Sequence, residues 1–496
     1  MRKSGDISKL QRFLFHNQGA AQTIAKNTFW LSFGEIFGRL LRVILIFYAA
    51  RVLGTAGYGT FSYMTSLAAI FTVFSDVGLS GVLIREAAKD KTMGNAYFST
   101  SFFLKMILLA VSLAIIIFGT DFISGIPVSQ ALIYAISALF LFDSLRRFGS
   151  SLFRAEEKME LEAITNIITQ IIILVAGFIA LLISPSAESL AIAYAFGAGL
   201  GLIITAFFLK GYVKKIVSSF DSSLIKPIIA AAWPFTVASI FSVFLVNTDI
   251  VMIGWFLDAE HVGLFSAAQK PIAFFYLLPA FVIGGLFPSL SRLAANRDTA
   301  KFGLSLERGI SMVMLIAYPM VAGLLFKARE IIELFYGSAF LGGATTLQIL
   351  SVTVLVTFPV TIIMQAIFAY DRQREMVPIW TLGVAMNIAF NFYLIPILGI
   401  AGAAWTSLVS QIITGALLWN KMNKVNPFRL FVGSRVALFS TLIMVASVFL
   451  MDIIRLPFAI TLPLSMVVYL ASLIILKDPT ISHLKLTFTE HDPQPH

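Results

Sequence analysis

The sequence predicts an all-α polytopic membrane protein of about fourteen transmembrane helices. They are arranged as two six-helix lobes in a parallel pseudo-twofold repeat, with two further helices at the C-terminus. Three observations carry this. Hydrophobic residues make up 58% of the chain and mean hydropathy is +0.89, well beyond soluble domains. Apolar runs of roughly 20 residues, the length that crosses a bilayer core, recur along the whole chain. Lys and Arg are also segregated: with the N-terminus inside, the outer connections hold only Arg51, Lys327, Arg329 and Arg455. That asymmetry follows the positive-inside rule and puts both termini in the cytoplasm of a multi-pass protein of the cytoplasmic (inner) membrane.

Residues 1–26 form a cytoplasmic N-terminal segment. Its Arg2, Lys3, Lys9, Arg12 and Lys26 stand among Leu10, Phe13 and Leu14, a composition that suits a short interfacial helix or a disordered tail. No charged region followed by a short apolar core and a small-residue cleavage site precedes the first span, so that span is expected to stay in the mature chain. The N-lobe, 27–209, takes spans near 28–50, 58–84, 98–118, 127–145, 163–183 and 187–209. A cytoplasmic linker, 210–227, carries Lys210, Lys214, Lys215 and Lys226. The C-lobe, 228–420, takes spans near 228–256, 263–290, 306–326, 345–369, 377–397 and 400–420. Residues 421–476 add spans near 431–451 and 456–476, and 477–496 form a cytoplasmic tail.

The lobes are read from an internal repeat. A shift of 204 residues lays Leu53, Gly59, Phe61 and Ser62 over Leu257, Gly263, Phe265 and Ser266. Each set follows the first helix of its half, as a parallel duplication requires.

The first span is not an anchor. Glu35, Arg39 and Arg42 sit at i, i+4 and i+7 on one face of an otherwise apolar helix. Each charge near a helix centre costs ~3 kcal/mol, while the twelve Leu, Ile, Val and Phe of Thr28–Ala50 return only ~0.3–0.6 each. The charged face must therefore look into protein or a water-filled cavity. At the repeat-equivalent places the C-lobe has Ser239, Val243 and Val246, and it carries Asp249 and Lys270 where the N-lobe has Leu45 and Ser66. Two facing lobes would enclose a cavity that is basic mainly on the first-lobe side, suited to an asymmetric anionic cargo.

Other chemistry is excluded by composition. With no cysteine, disulfides, thiolate catalysis and cysteine-ligated metals are absent together. The five histidines have no ligand spacing, so neither a catalytic residue nor a metal site is expected. The net charge of +10 marks topology and does not point to a nucleic-acid partner. Gly197, Gly199 and Gly201 fall inside an apolar helix with no preceding strand, which suits close helix packing and not a nucleotide fingerprint.

Three stretches carry a resemblance: Asn27-Thr28-Phe29-Trp30, the turn Ala50 to Gly59, and Phe74-Ser75-Asp76-Val77-Gly78-Leu79 continuing to Arg85-Glu86. Together with Tyr336 to Phe340 and Gly399 to Ala404, they resemble the polysaccharide transporter family. These are the O-antigen-type flippases of the multidrug/oligosaccharidyl-lipid/polysaccharide superfamily. The resemblance implies a transporter, not an enzyme. Its cargo would be an undecaprenyl- or other polyprenyl-pyrophosphate oligosaccharide, moved from the inner to the outer leaflet by alternating access for surface polysaccharide synthesis. Membrane lipids and glycan-assembly proteins are the implied company. A monomer is expected, because each chain supplies both lobes. No cofactor is expected, and coupling to a proton or sodium ion stays open because no ion site can be matched residue by residue.

Within that frame Arg39, Arg42 and Lys270 are the candidate substrate-binding cations, since arginine offers a planar fork to phosphate oxygens. The alternative for Arg39 is an ion pair with Glu35, and for Lys270 snorkelling or a pair with Asp249. Glu35, Asp76 and Asp249 are candidate coupling acids or charge-balancing partners. Asp76 also fits a helix break in which it caps backbone donors. Lys105 is expected to snorkel to the cytoplasmic surface, and Asp143 to form a local salt bridge with Arg146 and Arg147. Two other readings compete: a cation-coupled multidrug exporter of the same superfamily, and a membrane polymerase or glycosyltransferase of the same pathway.

Overall fold

A computed structural model describes residues 15, 17, 19–90, 92–276 and 278–478. Among these residues every regular element is a helix. The expected readings of residues 1–14 and of the tail from 479 onward lie outside the described residues.

Helix α1, Ala20–Thr72, contains the first expected span and most of the second. It is interrupted at Gly54, which is non-helical with φ 69° and ψ −177°, a conformation that glycine adopts without Cβ strain. A 3-10 turn, Val73–Ser75, then leads through Val77 and Gly78, both at positive φ, into α2, Leu79–Lys89. The two helical stretches meet at 44°. There follow α3 Gly94–Ile123, α4 Gln130–Ala155, α5 Met159–Ile183, α6 Ala187–Phe208, α7 Ile225–Phe256 and α8 Ala259–Phe275. Next come α9 Leu278–Ala295, α10 Thr299–Phe326, α11 Ala328–Tyr336, α12 Ala344–Ala369, α13 Val377–Leu398, α14 Ile400–Val425, α15 Arg435–Ile453 and α16 Phe458–Ile475. Ser129, Ser186 and Asp298 start α4, α6 and α10 by accepting a backbone N–H of the first turn.

Among the described residues eleven helices are long and apolar enough to cross a membrane, or twelve when the bent pair α1 and α2 counts as one span. Each of the fourteen expected spans coincides with helix over most of its length. The two tallies differ for physical reasons. The spans near 28–50 and 58–84 are joined in one bent helix, and α4 carries Asp143, Arg146 and Arg147 within its membrane-length stretch.

Packing divides the chain into two compact units, Met1–Gly263 and Leu264–His496. In the first, α4 packs on α6, and α5 on both α1 and α6. Small residues permit this. A Cβ on Gly34 would lie 2.8 Å from the Ala163 backbone, one on Gly197 would lie 2.3 Å from Ile173, and one on Gly201 would lie 2.2 Å from Thr169. The glycines of α6 are thus packing positions. The two repeated turns also meet inside this unit. A Cβ on Gly59 would lie 1.7 Å from the Ala259 carbonyl oxygen, and one on Gly263 would lie 2.0 Å from that of Thr55. Residues 55 and 259, and 59 and 263, are equivalent under the 204-residue shift, so the contact is reciprocal.

In the second unit α12 packs on α10 and α14, and α13 on α14. The C-terminal pair α15 and α16 closes on α10 through Ala322, Ala437, Met444, Tyr469 and Leu473. The Tyr469 hydroxyl donates to the Leu315 carbonyl at 2.6 Å, and Lys327 bridges Asp452 at 2.5 Å and Glu330 at 3.0 Å.

Candidate functional site

Three faces of α1 have different neighbours, and this sets the direction of its charges. Gly34, Gly38 and Leu45 pack against Ala163, Asn166 and Gly177 of α5, and Asn166 donates to the Gly34 carbonyl at 3.1 Å. Phe29, Phe33, Phe37, Leu40 and Ile44 form an exposed apolar stripe, its phenyl rings stacked at 5.8 Å. That stripe has the character of a lipid-facing surface. Opposite it by helical spacing lie Glu35, Arg39 and Arg42. The Arg39 Nε donates to Glu35 Oε1 at 2.6 Å, yet the two side chains remain 39% and 52% exposed. Arg42 Nε donates to Gln170 Oε1 of α5 at 3.4 Å.

A second basic face lies on α4. Asp143 accepts from Arg146 at 2.8 Å and from Arg147 at 2.6 Å. Arg146 is buried, whereas the Arg147 side chain is 66% exposed. One turn and more beyond, Arg154 holds Glu162 of α5 through two bonds at 2.8 and 2.6 Å. The faces of α1 and α4 lie within electrostatic reach of each other. Glu35 feels Arg39, Arg42 and Arg147; Arg42 feels Tyr194, Arg147, Asp143 and Glu35; Arg154 feels Glu162, Glu35 and Arg147. Arg39, Arg42, Arg146, Arg147 and Arg154 thus stand against Glu35, Asp143 and Glu162. Five cations and three anions leave two positive charges, on side chains that water reaches. Such a face can bind a polyanion without first breaking a dry ion pair.

The sequence-derived candidates do not all join this face. Asp76 lies at the break between α1 and α2, where its carboxylate accepts from the Ser80 hydroxyl at 2.6 Å and the Ser80 N–H at 3.4 Å. It also pairs with Lys105 at 2.9 Å. Lys105 does not snorkel. It is 1% exposed, and its ammonium sits 5.5 Å from the centre of the Phe148 ring, a site where the Asp76 charge makes burial tolerable. Asp249 is buried on α7, Lys270 is half-buried on α8 in the second unit, and each has an interaction of its own.

Conversely, Arg147 belongs to the basic face although its sequence reading stopped at a local salt bridge, and Arg154 belongs to it although the sequence did not single it out. That bridge exists. What it concealed was the spacing of Asp143, Arg147 and Arg154, which aligns them on one side of α4. No local pattern announces that this side is turned toward the charges of α1.

Known proteins bear on this geometry. A Haloferax volcanii protein, the probable low-salt glycan biosynthesis flippase Agl15, is 26% identical over 401 residues, covering 79% of this chain and 82% of its own. A Shigella flexneri protein named as an O-antigen transporter is 24% identical over 418 residues, covering 80% of this chain and 97% of its own. Among solved structures, the lipid II flippase MurJ in an inward closed conformation superposes with a TM-score of 0.71 at 17% identity, over 89% of this chain and 98% of that one. At that identity the likeness shows the fold alone, that of a polytopic helical membrane protein. The family signature described as "Polysaccharide biosynthesis protein" matches residues 24–294. The chain belongs to the polysaccharide biosynthesis protein family.

Proposed function

We propose that this protein is a flippase that moves a polyprenyl-pyrophosphate-linked oligosaccharide from the inner to the outer leaflet of the cytoplasmic membrane, for assembly of a surface polysaccharide. The observation that carries the reading is the water-accessible arginine face shared by α1 and α4. A pyrophosphate bears clustered negative oxygens, and arginine meets them with a fixed two-pronged donor that keeps its charge at any working pH. The relatives named as a flippase and as an O-antigen transporter support the same class of cargo. Arg39, Arg42 and Arg147 are assigned to the lipid pyrophosphate, and Lys270 remains a separate candidate substrate-binding cation. Glu35 and Asp249 are the carboxylates that a coupling proton or sodium ion would use. Asp76 is the weaker candidate, because Lys105 and Ser80 already engage it.

A cation-coupled multidrug exporter shares the fold class but needs an acidic or aromatic site for cationic drugs, and a surplus of arginine repels them. A membrane polymerase or glycosyltransferase would bring catalytic groups together on a sizeable loop, which the short connections between these helices do not supply.

The test is transfer of a fluorescent polyprenyl-pyrophosphate oligosaccharide in proteoliposomes, with the native chain beside Arg39→Ala/Arg42→Ala and Arg147→Ala variants of equal folded yield. Loss of a charge-assisted contact worth ~1.5–3 kcal/mol lowers transport roughly tenfold or more. A native protein that moves no such lipid but exports a cationic dye would sink the reading.

A further inference from the structure

We propose that the linker Leu209–Lys226 is a membrane-docking element whose occupant is the anionic phospholipid surface of the adjoining leaflet. This surface is distinct from the arginine face and does not depend on what that face carries.

After α6 the chain makes one helical turn, Lys210–Val213, and hydrogen bonds of three- and four-residue span continue the coil to Phe220. Three sides of this coil differ. Tyr212 and Ile216 turn inward: the Tyr212 ring meets Phe98 at 5.8 Å, its hydroxyl donates to Glu156 at 2.6 Å, and the Ser99 hydroxyl donates to the Ile216 carbonyl. Thr100 and Asp221 exchange two hydrogen bonds of 3.1 Å. The coil is therefore held against the first turns of α3.

A second side is apolar and largely exposed, the Phe220 ring meeting Phe103 edge-on at 5.3 Å. Val213, Val217 and Phe220, at i, i+4 and i+7, are 42%, 79% and 43% exposed, and Phe207 at the end of α6 is 66% exposed. The third side is basic. Lys210, Lys214 and Lys215, together with Lys226 beyond the coil at the start of α7, are all exposed, and among the described residues none of them forms an ion pair. The one acid of the segment, Asp221, is occupied by the backbone N–H and hydroxyl of Ser223.

An exposed apolar edge flanked by unpaired lysines, at the end of membrane-spanning helices, matches an interfacial segment. The three apolar side chains enter the boundary of the acyl chains while the ammonium groups meet lipid phosphates. A soluble protein partner would need carboxylates to match the lysines and an apolar ridge to cover Val217. The membrane supplies both chemistries beside the apolar helices that the linker joins.

The absence of cysteine in the chain makes the test direct. Val217→Cys on the apolar side and Ser218→Cys on the basic side of the coil, one turn from Lys214, are each labelled with an environment-sensitive fluorophore. The full chain is then reconstituted in phosphatidylcholine vesicles and in vesicles of equimolar phosphatidylcholine and phosphatidylglycerol. The expected result is that the label at 217 shifts to the blue and escapes aqueous iodide in the anionic vesicles, while the label at 218 stays accessible. Lys210→Gln/Lys214→Gln/Lys215→Gln in the Val217→Cys background lowers the docked-to-undocked ratio by roughly fivefold per lysine. A label at 217 that iodide reaches equally in both vesicles overturns the docking and leaves the face to a protein partner. A label buried equally in both, and unmoved by the triple variant, overturns the headgroup assignment.

Discussion

The reciprocal contact of the two repeated turns permits a quantitative prediction. An alanine methyl at position 59 would sit 1.7 Å from the Ala259 carbonyl oxygen and 2.8 Å from the backbone N–H nitrogen of Gly263. Relaxed contacts between heavy atoms need roughly 3.5 Å. Both obstructing groups are backbone, so no side chain can rotate away and the two segments must part by roughly 1.5–2 Å. Overpacking costs ~1–3 kcal/mol, and the rigidity of both partners puts Gly59→Ala at ~3 kcal/mol on that scale. Thermal unfolding of the purified protein should then fall by on the order of 5 °C. Gly263→Ala, facing the Thr55 carbonyl at 2.0 Å, should cost about as much. The double variant should cost less than the sum, because the same two segments need parting only once. Gly211→Ala, where a Cβ would find nothing within 4 Å, is the control and should be neutral. If Gly59→Ala melted with the parent and the control, the close approach would be refuted, and with it the reciprocal packing of the repeat.

Two further predictions rest on charges. In the Asp76–Lys105 pair the lysine is buried while the aspartate side chain is 33% exposed. Asp76→Asn, which strands a buried ammonium, should therefore destabilise by ~3 kcal/mol and Lys105→Met by less, as thermal unfolding of both variants and of the double variant would measure; the opposite order would show that Lys105 reaches water. At the turn before α8, Asp258 accepts from the backbone N–H of His261 at 2.9 Å and from its ring at 2.8 Å; the backbone bond first, against slight desolvation and aided by the His261 ring, holds its carboxyl below the usual carboxylate range. A lowered folded pKa contributes stability that is full above the unfolded value of about 3.8 and is lost as pH falls through the folded value. The thermal deficit of Asp258→Ala should accordingly be constant near neutrality and shrink on acidification below about pH 4, and a deficit that grew in acid would contradict the sign.

The sequence alone was sufficient for the features that depend on short-range periodicity and on the solvent. A bilayer admits helices whose length matches its core, so composition and apolar run length led to the helical class and to the segments where helices lie. The 3.6-residue period put Glu35, Arg39 and Arg42 on one face, and the i, i+4 spacing anticipated the 2.6 Å pair of Glu35 with Arg39. The span count was less legible, because a break such as Gly54 and a charged stretch such as Asp143 to Arg147 blur what a hydropathy run records.

Partners distant in the chain were decided only by tertiary structure. Arg42 meets Gln170, Lys26 meets Glu160 at 2.8 Å, and Lys105 meets Asp76 inside the protein rather than the headgroup region. The α4 arginines join the α1 arginines because Gly34 and Gly38 let α1 settle against α5 at one rotation about its axis. Local rules reach about four residues along a helix. Which face a helix turns to a neighbour more than a hundred residues away is set by side-chain volume at the interface, and that is a property of the packed protein.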